Sequence, residues 1–133
     1  MQYVWIGLGG AIGSMLRFLV QTLIQGNYSG LFPQGTLAVN LIGSFVVGIL
    51  GGLFDSTPVP THLRAFLMAG VLGGFTTFSA YSFGSLTMIR AGQAKSALLY
   101  ILVSNVFGIL LAFSGYFLAK FALRFFQLET SVG

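Results

Sequence analysis

The chain has 133 residues, 56% of them hydrophobic and 6% charged, with six basic and two acidic side chains for a net charge of +4. So few charges cannot cover a water-soluble domain of this length, and the scattered bases form no cluster that would hold nucleic acid. There is no cysteine, which excludes disulfides, thiol nucleophiles and cysteine metal sites.

Apolar runs of 18 or more residues are long enough to cross a bilayer, and nearly the whole chain divides into them, at about 3–24, 35–54, 63–89 and 97–121. The expectation is an all-α membrane protein, with residues 1–133 forming a single transmembrane domain of four helices. The amino-terminal run lacks a preceding basic region and exceeds the apolar core of a cleaved leader, so it is read as the first span.

In that span Gly9 and Gly13 form a small-xxx-small face on which another helix can approach closely. Arg17 is the only formal charge well inside a span. It either snorkels to one interface or lends positive potential to an anion entrance. A polar, turn-rich linker, 25–34, follows and closes with Pro33.

The second span sets Thr36, Asn40, Ser44, Gly48 and Gly52 four residues apart, one small and polar stripe on an apolar helix. The Asn40 carboxamide is costly in lipid unless it is paired or faces a cavity, so it reads as interhelical glue or as part of a polar path. The loop 55–62 carries Pro58 and Pro60 and closes the hairpin.

The third span contains Gly73-Gly74-Phe75-Thr76-Thr77-Phe78-Ser79-Ala80-Tyr81-Ser82-Phe83. Paired glycines followed by two β-branched threonines make a regular helix weakest at its middle, so a break near the membrane centre is expected. Backbone freed there is tolerated only where protein buries it or where it lines a watery cavity, which marks a site. The rings of Phe75, Phe78, Tyr81 and Phe83 crowd around the break. They either pack against neighbours and lipid or turn their positive edges toward an anion. The carbonyls of Gly73 and Thr76 are candidates to hold a hard cation such as Na⁺. One protomer offers too few oxygens, and two copies meeting there would double them.

After the loop 90–95, the fourth span sets Tyr100, Ser104, Gly108 and Ala112 four apart, with the two hydroxyls on one face. Those hydroxyls serve either a polar path or ordinary interhelical hydrogen bonds. Lys120, Arg124 and a short tail with Glu129 finish the chain. Asp55 lies at a span end, Glu129 in the tail and His62 in a loop, so no carboxylate or imidazole is expected deep in the membrane and proton coupling lacks its usual carrier. No hydrolytic, metal-catalytic or phosphate-binding constellation can be assembled, so an enzyme is not expected.

Four spans put both termini on one side. Arg64, Lys120 and Arg124 fall on that side and Arg90 and Lys95 on the other, a weak orientation bias. A chain of this kind can insert both ways and pair as an antiparallel dimer about an axis in the membrane plane.

Three motifs then stand together: Gly9-Gly10-Ala11-Ile12-Gly13-Ser14-Met15-Leu16-Arg17-Phe18, Gly35-Thr36-Leu37-Ala38-Val39-Asn40-Leu41-Ile42-Gly43-Ser44-Phe45, and Gly73-Gly74-Phe75-Thr76-Thr77-Phe78-Ser79. They resemble the signatures of the fluoride-specific ion channels known as Fluc or CrcB, and the resemblance covers all four spans in order. It implies a dual-topology antiparallel homodimer in a bacterial inner membrane, with two pores through which cytoplasmic fluoride leaves passively. It also implies a structural Na⁺ on main-chain oxygens of Gly73 and Thr76. Asn40 would be the pore amide, Phe78 the first pore aromatic, Arg17 the vestibule arginine and Tyr100 with Ser104 a line of hydroxyls along the permeation path, with Thr77 among the pore residues. Where the family pattern has a second phenylalanine this chain has Tyr81, which keeps the ring edge and adds a phenolic hydroxyl. Two other readings remain: a four-span dual-topology exporter of organic cations, which would be expected to carry a membrane-embedded glutamate, and a non-transporting packing subunit.

Overall fold

Two glycine seams hold the helices together, and each seam joins helices that run in the same direction. The structure, a computed structural model, describes residues 1–26 and 28–132, with side chains as far as Phe125. Helix α1 is Gln2–Gln25 and α2 is Gln34–Phe54. Helix α3 covers residues 61–75 as a turn Thr61–Arg64, a π-helical stretch Ala65–Leu72 and a final turn Gly73–Phe75. Helix α4 is Phe78–Arg90 and α5 is Ala94–Val132. Four helical segments, with α3 and α4 counted as one, are each long and apolar enough to cross a membrane.

Along the first seam, a Cβ on Gly9 would lie 2.5 Å from the Phe66 carbonyl oxygen, and one on Gly74 would lie 2.5 Å from that of Gly10. One on Gly13 would collide with the Val71 carbonyl. Backbones this close gain dispersion contact that lipid cannot supply, the association expected of the Gly9 and Gly13 face. Along the second seam Gly48 abuts the Ala112 carbonyl, Gly52 the Tyr116 carbonyl and Gly115 the Phe45 carbonyl, so α2 and α5 are in parallel register. The four-residue stripes of the second and fourth spans are thus, over their glycine halves, packing faces.

The third span breaks, as its composition predicts, but at the threonines. Gly73 and Gly74 stay helical, whereas Thr76 (φ −82°, ψ 156°) and Thr77 (φ −149°, ψ 112°) are extended. The reason is packing: Gly74 is spent on the approach to α1, and the extended region suits β-branched Thr76 and Thr77. The π-helical stretch before the break had no expectation from composition. The fourth helix also outruns its expected end near residue 121 and continues through Val132; the Glu129 side chain lies outside the described residues.

Candidate functional site

The break is held by one side chain. In a continuous helix the Thr77 N–H would reach back to the Gly73 carbonyl. Here it donates instead to Asn40 Oδ1 at 2.9 Å, and Asn40 Nδ2 donates to the Thr77 carbonyl at 3.1 Å. One carboxamide therefore pairs with both main-chain groups of the residue at the break. Thr77 also caps α4, its Oγ1 accepting from Ala80 N–H at 3.3 Å and lying 3.2 Å from Ser79 Oγ. Thr76 Oγ1 and Thr76 N–H both donate back to the Leu72 carbonyl at 2.9 Å, leaving the main-chain carbonyl as the group Thr76 can offer outward.

Two open grooves meet at the break, and Thr77 borders both. The first, about 360 Å³, is lined by Asn40, Ser44, Gly73, Thr76 and Phe78. Gly73 is exposed along it. With Thr77 N–H turned to Asn40, the Gly73 carbonyl leaves the helical ladder at the negative end of α3, the polarity that suits a cation. The second groove, about 570 Å³, is lined by Ser14, Arg17, Gln21, Ser79 and Phe83. Arg17 thus borders a concavity rich in neutral hydrogen-bonding groups. Gln21 itself donates to Thr36 Oγ1 at 3.1 Å, tying α1 to the polar stripe of α2.

From the break a file of rings runs toward the linker between α1 and α2. Phe78 lies 5.4 Å from Tyr81, Tyr81 5.4 Å from Tyr100, and Tyr100 5.5 Å edge-on from Phe32, measured between ring centroids. The file starts exposed and ends buried: Phe78 is 79% exposed and Tyr100 fully covered, packed with Met88 and Ala97. Tyr100 Oη and Ser104 Oγ are buried and make no hydrogen bond within the protomer. A buried hydroxyl with no acceptor forfeits the free energy of one hydrogen bond, and two such groups one helical turn apart are polar donors facing no protein partner.

Asn40, Gly73, Thr76, Thr77 and Phe78 are brought together at the first groove, while Arg17 stands apart at the second. Tyr81 and Tyr100 meet across the α4–α5 contact, and Ser104 is one helical turn beyond Tyr100 with its hydroxyl buried. Two residues escaped sequence reasoning. Phe32 sits in a linker and carries no sequence signal. Asn105, whose Nδ2 donates to Tyr81 Oη at 2.9 Å, did carry one: it is a carboxamide inside an apolar span, next to Ser104.

The family model described as CrcB-like protein, Camphor Resistance (CrcB), matches residues 4–116, which include every residue of the site. The chain belongs to the CrcB-like family. A relative from Aquifex aeolicus is 47% identical over 116 residues, 86% of this chain and 94% of the relative. One from Thermus thermophilus is 44% identical over 115 residues, 86% and 92% of the two chains. One from Helicobacter pylori is 40% identical over 120 residues, 89% and 92%. All three carry the name fluoride-specific ion channel FluC. With four membrane-length helices, this CrcB-like chain is a multi-pass membrane protein.

Proposed function

We propose that the chain is a fluoride-selective channel in the bacterial cell membrane through which cytoplasmic fluoride leaves down its gradient. The buried, unpartnered hydroxyls of Tyr100 and Ser104, with Tyr100 in a file of aromatic rings, carry this reading. Fluoride is small and strongly hydrated, so a passage that selects it must replace its water with close donors and positive ring edges, none of which needs to ionise. Relatives at 40–47% identity named for that activity support it. An exporter of organic cations has no such support from them.

The working unit is an antiparallel homodimer in which a second, inverted copy covers the first groove. Exposed Gly73 and Phe78 at mid-span favour this, because lipid would leave the freed backbone unsatisfied. The residues also fit a structural Na⁺. Main-chain oxygens of Gly73 and Thr76 would hold it, since the Thr76 hydroxyl is already engaged. No cluster of His, Asp or Glu among the described residues offers a competing site. The ion would supply fixed positive charge at the centre of the assembly.

Purified protein in liposomes is expected to release fluoride without proton coupling and to retain chloride. Equal passage of chloride, or no fluoride release from verified proteoliposomes, would overturn the reading.

A further inference from the structure

We infer that Asn105 is a positioning residue that orients the Tyr81 hydroxyl so that its O–H donates a hydrogen bond to the permeating fluoride. The inference deepens the proposed channel function and rests on it.

The geometry decides which way each hydrogen points. Asn105 Nδ2 lies 2.8 Å from the Ile101 carbonyl of its own helix and 2.9 Å from Tyr81 Oη. A carbonyl can only accept, so the amide cannot be flipped: Oδ1 in that place would set two acceptors against each other. Both Asn105 N–H groups are therefore committed, one to Ile101 and one to Tyr81. Tyr81 Oη in turn accepts, and its own hydrogen is left to be donated elsewhere.

The Tyr81 ring is constrained on both sides, 5.4 Å from Phe78 and 5.4 Å from Tyr100, so the hydroxyl cannot swing away without disturbing the file. The neighbouring Tyr100 and Ser104 hydroxyls are likewise donors without protein acceptors. Tyr81 thus adds a third neutral donor beside Tyr100, its ring centroid 5.4 Å away. A phenylalanine there would offer an edge only, and Asn105 would then have nothing on α4 to hold. The tyrosine and the asparagine work as a pair, joined across 24 residues of chain.

The test is a double-mutant cycle in proteoliposomes, with fluoride efflux measured over a range of internal fluoride concentrations. Asn105→Leu and Tyr81→Phe are each expected to raise the half-saturating fluoride concentration about fivefold, the scale of one neutral hydrogen bond, with less effect on maximal flux. The double variant is expected to match either single one, because Asn105 acts only through the hydroxyl. A merely structural role for Asn105 would persist in the Tyr81→Phe background and make the two effects multiply. An unshifted Asn105→Leu, or multiplied effects, would overturn this inference while leaving the channel reading intact. Absence of fluoride flux in the unaltered protein would overturn both.

Discussion

The Asn40 carboxamide and the Thr77 main chain exchange two hydrogen bonds, 2.9 and 3.1 Å long, across 37 residues of sequence. The pair helps explain how a helix can open inside a membrane: both main-chain groups of Thr77, at the opening, are given a partner. Asn40→Leu keeps the branching and heavy-atom count of the side chain and removes both bonds. It is expected to cost about 2 kcal/mol or more, since each unsatisfied buried group costs roughly 1–3 kcal/mol, and to lower fluoride flux with it. Chemical unfolding in detergent and efflux from liposomes measure the two effects. Unchanged stability would mean that Thr77 finds its partners elsewhere.

Phe78 is 79% exposed in the protomer, so its ring contributes little to the packing of its own chain. Phe78→Ile is therefore expected to reduce fluoride efflux while the unfolding midpoint of the protein stays within experimental error. A fall in stability that parallels the fall in flux would assign the ring to packing instead.

The seam between α2 and α5 tolerates no side chain at Gly48, where a Cβ would run into the Ala112 carbonyl. Gly48→Ala is expected to destabilise by about 1–3 kcal/mol, the usual cost of forcing extra volume into a packed site. Gly10→Ala serves as the control, because a Cβ there meets nothing within 4 Å. Thermal aggregation in detergent separates the two, and equal midpoints would show that the seam can open without cost.

No carboxylate among the described residues lies within a span. Asp55 follows the end of α2, where it accepts from Tyr116 Oη at 3.0 Å, and the one imidazole, His62, is in the first turn of α3 with its ring 5.6 Å from Trp5. A change of bulk pH between about 6 and 8 is therefore expected to leave fluoride flux unchanged, because no carboxylate or imidazole among the described residues lines either groove at the break. A strong pH dependence, or flux that stops when a proton gradient is dissipated, would point to a coupled transporter.

If Na⁺ bridges two copies at Gly73 and Thr76, exchanging it for a large organic cation should weaken the dimer. Size-exclusion profiles at low protein concentration are expected to shift toward monomer and flux to fall. A dimer indifferent to the cation would remove Na⁺ from the assembly.

Much of this was legible in the residues themselves. Apolar runs of membrane length dictated four spans, because backbone in lipid must satisfy its own hydrogen bonds and only a long helix does so within one segment. The letters from Gly73 to Thr77 marked a break, because they are poor helix formers wherever they occur. Its location was decided by contact: Gly74 is claimed by α1, so the chain opens at Thr76 and Thr77. Likewise the polar character of Asn40 was visible, while its partner was not. Asn40 with Thr77 and Tyr81 with Asn105 are pairings across 37 and 24 residues, set by how helices lie against one another rather than by any local preference. Composition and spacing thus determined which groups this membrane chain must satisfy or expose, and only the packed tertiary structure decided which atoms meet.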